Sequence, residues 1–421
     1  MTNSKSRYQD LISHYQSGKY ELLRKKALEF IKDFPDHYDG LLILGICYRQ
    51  LGENHKAIEI YRDLIDRFPN FSAAYTNLAN IFLDMGELDD SIEYYRKSIK
   101  IKDNDCNPFD GLGLAYTGKG NLEKACEYYK KAVEINPSFE RAHLNLGDNY
   151  RKRGMYKDAI KHYELTNYKL SKSHKLECHY HLNEIDGFYE ELNKLAKQDK
   201  LNSLAACLST HASQRFDVEN IYPFCKNPID FVYHESLLNE DDFDEDFIAN
   251  FLEYISINKP DFMSQNLLKK GLQSAGNLFL RDDMVISKLK KIVNKKVNDY
   301  KAQYSGSEEG VIKRWPMNYD LYGWVIEIEK EGNLDPHIHK EGWISGSIYM
   351  NLPENEGTDE GKLKVGLHGA NYPDDGKIYK NKIIPIRTGD IVIFPSSLFH
   401  ETIPFKISEK RVSFAFDLMP K

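Results

Sequence analysis

What these 421 residues have little of narrows their function first. There are only 6 cysteines, Cys47, Cys106, Cys126, Cys178, Cys207 and Cys225, none in the C-terminal third and none in a Cys-x-x-Cys pair. This scatter argues against a disulfide framework. It reads as buried free thiols in a reducing compartment, with the cytoplasm as the default. No apolar run approaches the length of a membrane span. The N-terminal stretch Met1 to Ser6 leads into an amphipathic helix without the apolar core of a signal peptide, so neither a membrane nor secretion is expected. Positive charge is not concentrated either: 57 Lys and Arg stand against 64 Asp and Glu, a net charge of −7. Phosphate binding needs a dense Lys/Arg surface, so a nucleic-acid partner is not expected. What remains, 41% hydrophobic and 29% charged, suits two or three domains with real cores.

Internal repetition is strong. Gly52, Gly86, Gly120 and Gly154 recur every thirty-four residues, as do the small residues Gly45, Ala79, Gly113 and Gly147. The aromatics Tyr48, Phe82, Tyr116 and Tyr150 keep the same step, and so do Tyr61, Tyr95, Tyr129 and Tyr163. Pro35, Pro69 and Pro137 close three units, with Asp103 in the fourth slot. This is the tetratricopeptide pattern. Each unit is a pair of antiparallel helices: the small residue lets the helices approach, and the glycine makes the turn. Leu11 to Pro35 reads as a degenerate first unit, and Lys175 to Phe216 as an irregular helical cap. Resemblance to this family implies that the repeats bind a peptide or protein. Asn77 and Asn145, each two positions before the small residue, are candidates for hydrogen bonding an extended peptide backbone. Ile43 and Gly111 interrupt that ladder, and asparagine is also simply common at such positions.

From about 217 to 310 no repeat is visible. The acidic run Glu240 to Asp246 reads as the first turn of a helix, where negative charge suits the dipole, rather than as a calcium loop. Asp283 to Tyr300 alternates apolar residues with lysine at helical spacing and predicts an amphipathic packing helix. Gln273 and Asn277 read as one helical turn apart, with capping, loop packing or ligand contact all open. From Val311 onward, short alternating strands separated by Gly, Pro, Asn and Asp turns signal an all-β unit.

That unit holds Pro336-His337-Ile338-His339. Residues i and i+2 of a strand share a face, so His337 and His339 can present two imidazoles to one point. Gly389-Asp390 then opens an apolar strand that leads to His400, and Arg411-Val412-Ser413 begins the last strand. The motifs P-H-x-H, G-W-x-S-G-x-x-Y, G-D-x-x-x-F-P-S, a later His and R-x-S resemble a bacterial branch of the 2-oxoglutarate- and Fe(II)-dependent oxygenases, from about Trp315 to the C-terminus. The resemblance implies a double-stranded β-helix. It also implies Fe(II) held by His337, His339 and His400, and 2-oxoglutarate as cosubstrate gripped by Arg411 with Ser413. Tyr349 is a second candidate for the cosubstrate, or barrel packing. One feature departs from the family: where it carries a carboxylate ligand, this chain has His339. Asp335, two residues before His337, is a rival for that place, and His368 a rival ligand in a polar loop. No catalytic residue is expected beyond the metal ligands.

The fold class expected is thus α+β multidomain: an N-terminal all-α tetratricopeptide solenoid with its cap (1–216), a helical and linker region packing on the barrel (217–310), and a C-terminal double-stranded β-helix, or jelly roll, with packing helices (311–421). The expected function is a 2-oxoglutarate-dependent dioxygenase, most simply a hydroxylase, with the repeats recruiting a peptide or protein as in collagen prolyl hydroxylases. Two other readings stay open: a tetratricopeptide scaffold whose barrel is inactive, and a three-histidine iron dioxygenase that does not use 2-oxoglutarate.

Overall fold

The structure is a computed structural model. It describes every residue except 1, 169, 199–200, 241, 259, 354–357, 370–371 and 374, and the side chains of 2, 3 and 239. The chain divides into two compact units. The first comprises Met1–Tyr168 with Pro260–Met263 and Ser274–Asp282; the second comprises Lys169–Lys259, Ser264–Gln273 and Asp283–Lys421.

The first unit is a solenoid of helix pairs: α1 (Thr2–Gln16) and α2 (Tyr20–Asp33), α3 (Tyr38–Gln50) and α4 (Asn54–Arg67), α5 (Ser72–Asp84) and α6 (Leu88–Ile101), α7 (Cys106–Gly118) and α8 (Leu122–Ile135), α9 (Glu140–Lys152) and α10 (Tyr156–Tyr163). The repeated small residue makes each pair possible. A Cβ on Gly45, Gly113 or Gly147 would meet the ring of Tyr61, Tyr129 or Tyr163 at 2.5, 2.3 or 2.7 Å. These tyrosines are buried, and each adds on the order of 2 kcal/mol of apolar burial. The turn glycines Gly52, Gly86, Gly120 and Gly154 all have φ between 72° and 80°, the left-handed region that side chains disfavour. Gly52 carries a further constraint, because its Cα lies against the carbonyl of Ala275. At the same turn, the Asn54 amide donates to Asp261 Oδ2 at 2.6 Å, and Arg281 Nε donates to the Leu51 carbonyl.

The second unit opens with α11 (Ser171–His181), α12 (Ile185–Ala196) and α13 (Ser203–Phe216), followed by β1 (Tyr233–Ser236) and α14 (Glu245–Asn258). The short β2 (Phe262–Met263) falls in the first unit's share of the chain. Next come β3 (Leu268–Ser274), α15 (Met284–Gln303), α16 (Gly310–Lys313), β4 (Tyr319–His337), β5 (Ile344–Asn351), β6 (Leu363–Gly366), β7 (Asn381–Ile384), β8 (Asp390–Pro395), β9 (Phe399–Thr402) and β10 (Arg411–Pro420). The strand order is β1-β8-β5-β10-β4-β9-β6-β7, with β3 also on β4. All recorded pairings are antiparallel. The long β4 serves two walls: its first half pairs with β10, and its last residues pair with β9. Between them it bends at Glu331, where φ is +60° and the amide donates to the Phe405 carbonyl. The eight strands β4 to β10, with β4 counted once in each wall, make the double-stranded β-helix.

The structure differs from the sequence expectations at three places. The boundary between the compact units falls at 168/169, not 216. Helices α11–α13 pack with the barrel: Ser203 Oγ donates to the Gly342 carbonyl, and His211 on α13 bonds His368. The region 217–310 is more than helix and linker, since it supplies β1, paired to β8, and β3, paired to β4. Residues 273–277 are not one helical turn. Gln273 ends a strand, and the Asn277 side chain caps Phe279 N.

Candidate functional site

Alternation along three strands builds one cavity of about 550 Å³. Tyr322, Trp324 and Ile326 face it from β4, Ser345, Ser347 and Tyr349 from β5, and Arg411, Ser413, Ala415 and Asp417 from β10. The period of two follows from the pleat. The pairings Ser413↔Ile326, Ala415↔Trp324 and Asp417↔Tyr322 set the rungs.

His337, His339 and His400 meet on one side of this cavity. One nitrogen from each lies within 4.8 Å of the others. His337 and His400 are direct cross-strand partners of β4 and β9, with ring centroids 4.2 Å apart. His339 is not on the strand, contrary to the sequence expectation. β4 stops at His337, and the turn that follows swings the third ring back, so that the Nε2 atoms of His337 and His339 stand 3.2 Å apart.

The far nitrogen of each ring is held. His337 Nδ1 reaches the Asp335 carbonyl at 2.8 Å, His400 Nδ1 the Leu398 carbonyl at 3.3 Å, and His339 Nδ1 Asp417 Oδ1 at 2.6 Å. Carbonyl and carboxylate oxygens only accept, so each Nδ1 carries a proton, which leaves Nε2 as the nitrogen that a neutral ring can offer to a metal. The 3.2 Å approach of the His337 and His339 Nε2 atoms is satisfied by a shared proton or by a cation between them. Burial, and then the neighbouring imidazole, holds His337 down at about 4. The same causes hold His400 well below the ordinary value. Both rings are therefore neutral near pH 7, the form that ligates metals.

The other end of the cavity is cationic. Arg411 is buried. Its Nε donates to the Gly361 carbonyl at 3.2 Å, and one terminal nitrogen donates to Ser413 Oγ at 3.3 Å. Its guanidinium lies 5.1 Å from the Tyr349 ring centroid. No carboxylate pairs with it among the described residues. The Tyr349 hydroxyl, also buried, lies beside Arg411 and Ser347 without a fully formed hydrogen bond, and burial pushes it up to about 12. A buried cation without a counter-ion is costly, and a carboxylate ligand would supply one.

Most of the remaining candidates lie elsewhere. Asp335 is turned to Asn333 Nδ2 at 2.8 Å and Lys269 Nζ at 3.4 Å, and it stands outside the histidine group. His368 bonds His211 Nε2 at 2.9 Å and lines a separate cavity of about 230 Å³. Gln273 lines the main cavity. Trp343 is core, its indole donating to the Val311 carbonyl. In the solenoid, the Asn77 amide donates to the Ala73 carbonyl of its own helix. The Asn145 amide donates to the buried Asp110, which also takes Arg141. Sequence reasoning missed Asp417; the alternation from Arg411 through Ser413 was the signal for it.

Comparison with known families agrees with this architecture. Residues 322–417 match the family described as "Putative 2OG-Fe(II) oxygenase". Residues 39–70, 72–105 and 113–148 match tetratricopeptide-repeat families. The chain thus carries tetratricopeptide repeats followed by a domain matching the 2-oxoglutarate- and Fe(II)-dependent oxygenases. No functionally curated protein matches it. Among solved structures, PilF of Pseudomonas aeruginosa is 16% identical over 46% of this chain and 90% of its own, with a TM-score of 0.41. A tetratricopeptide repeat protein from Parabacteroides merdae is 14% identical over 55% and 91%, with a TM-score of 0.42. MamA from Desulfovibrio magneticus RS-1 is 22% identical over 38% and 91%, with a TM-score of 0.33.

Proposed function

We propose that the protein is a 2-oxoglutarate- and Fe(II)-dependent oxygenase that hydroxylates its substrate. The observation that carries this reading is the pairing, in one cavity, of three converging imidazole nitrogens with a buried arginine that has no counter-ion among the described residues. His337, His339 and His400 would hold the metal, since three converging imidazole nitrogens suit Fe(II). Arg411 would hold the far carboxylate of 2-oxoglutarate through its fork, with Ser413 fixing the guanidinium and Tyr349 supplying a hydroxyl. Fe(II) and 2-oxoglutarate together supply dioxygen activation, coupled to conversion of the oxo acid to succinate and CO₂. The chain's own task is positioning and water exclusion. Trp324, Ile326 and Phe394 give the cavity an apolar wall that would help to exclude water.

The three-histidine dioxygenase without 2-oxoglutarate is favoured by His339 but gives Arg411 nothing to bind. Anaerobic addition of Fe(II) and then 2-oxoglutarate separates the two. A metal-to-ligand charge-transfer band that needs both is expected, and its absence in iron-loaded protein removes the cosubstrate. For the repeats, we propose recruitment of a peptide or protein, which such repeats generally bind. Asn77 and Asn145 already bond within the solenoid, so side chains other than these two amides are expected to provide the contacts. The cytoplasmic assignment rests on the free cysteines, five of them buried.

A further inference from the structure

We infer that Asp417 acts on the metal site through His339, orienting that ligand and placing negative charge behind it. The inference rests on the metal site proposed above.

Three observations carry it. First, the histidines are not supported alike. Backbone carbonyls hold His337 and His400, whereas His339 alone has a carboxylate on its Nδ1, at 2.6 Å. Second, Asp417 is fixed independently of His339. Its Oδ1 also accepts from Ser345 Oγ at 2.6 Å, and Ser345 in turn bonds Ser396 Oγ at 2.7 Å. Ser345 and Asp417 are register partners on β5 and β10. Third, the turn after His339 is shaped around this group. The His339 amide donates to the Ser396 carbonyl, and a Cβ on Gly342 would lie 2.5 Å from Ser396 Oγ and 3.5 Å from Asp417 Cγ.

A carboxylate hydrogen-bonded to the outer nitrogen of a ligating imidazole fixes its tautomer and makes the ring a stronger donor. The negative charge that an aspartate ligand would bring is then present one ring further out. Asp417 is a positioning residue here, because it acts only through His339.

The test is a double-mutant cycle on the full chain, with Co(II) alone as the probe and its visible absorption and equilibrium affinity as readouts. Asp417→Asn keeps the shape and a hydrogen-bond acceptor while removing the charge. It is expected to weaken Co(II) by about tenfold and shift the absorption, within the range seen when such outer partners are removed. In a His339→Asp background the same substitution is expected to change affinity less than about twofold, because the ligand through which Asp417 acts has gone. Equal losses in both backgrounds, or none in the unmodified protein, would overturn the inference. Protein that takes up no Co(II) overturns both this inference and the function above. Protein that binds Co(II) but shows no response to 2-oxoglutarate overturns the function alone, and the cycle still decides the role of Asp417.

Discussion

Arg411 and the buried histidines carry the sharpest expectations for single side chains. Arg411→Ala is expected to weaken 2-oxoglutarate by on the order of 2–5 kcal/mol, the usual cost of truncating one partner of a buried charge pair. Metal affinity should hardly change, since Arg411 touches none of the three imidazoles; titration of each ligand separately checks this. Unchanged 2-oxoglutarate affinity would show the anchor to be misassigned. Arg411→Lys should fall between, keeping charge but losing the fork. The histidines set an acid limit. His337 and His211 sit at about 4 and about 3, and His400 is also lowered. The unfolded chain binds protons on these groups below about pH 6.5 while the folded chain does not, so stability falls as pH drops from about 6.5 towards 4. Metal occupancy should fall in the same window, because protons compete for Nε2. Melting temperature and Co(II) content against pH check both, and a flat melting curve across that range would contradict the burial argument.

Elements show what the sequence could and could not reveal. The repeats were legible because each turn demands glycine in a left-handed conformation and each helix pair demands a small residue beneath a tyrosine. Both are local requirements that repeat in register. They are not equal in cost, however. Gly120→Ala meets nothing within 4 Å and should lose about 1 kcal/mol to its backbone conformation. Gly52→Ala drives its Cβ to 2.7 Å from the Ala275 carbonyl and should lose about 2 kcal/mol more from overpacking. Chemical denaturation of the two variants measures the difference, and equal losses would mean that the 261–281 segment does not hold that turn. The cavity strands were readable only in part. Arg411 and Ser413 stood out because they match a known motif, whereas Asp417, at the end of the same alternation, matches none. His339 was found for a reason that does not hold, since β4 ends two residues earlier. Short β1 was invisible because Tyr233-His234-Glu235-Ser236 has little strand character of its own; its pairing to β8 comes from 156 residues away.

At the scale of the whole molecule, α11–α13 belong to the barrel's unit, and truncation should reveal it. A fragment starting near 217 removes His211 and Ser203 from their partners His368 and Gly342. It is expected to melt lower and take up less Co(II) than a fragment starting near 169. Equal behaviour of the two would return α11–α13 to the solenoid. The interleaving of the two units also bears on how the chain is made. The turn at Gly52 waits for Asp261 and Arg281, 207 residues beyond Asn54 and 230 beyond Leu51. At ribosomal speeds that delay is about 10–50 s. The nascent solenoid therefore spends much of its synthesis with one turn uncovered, and it is completed only after part of the barrel's own unit has left the ribosome.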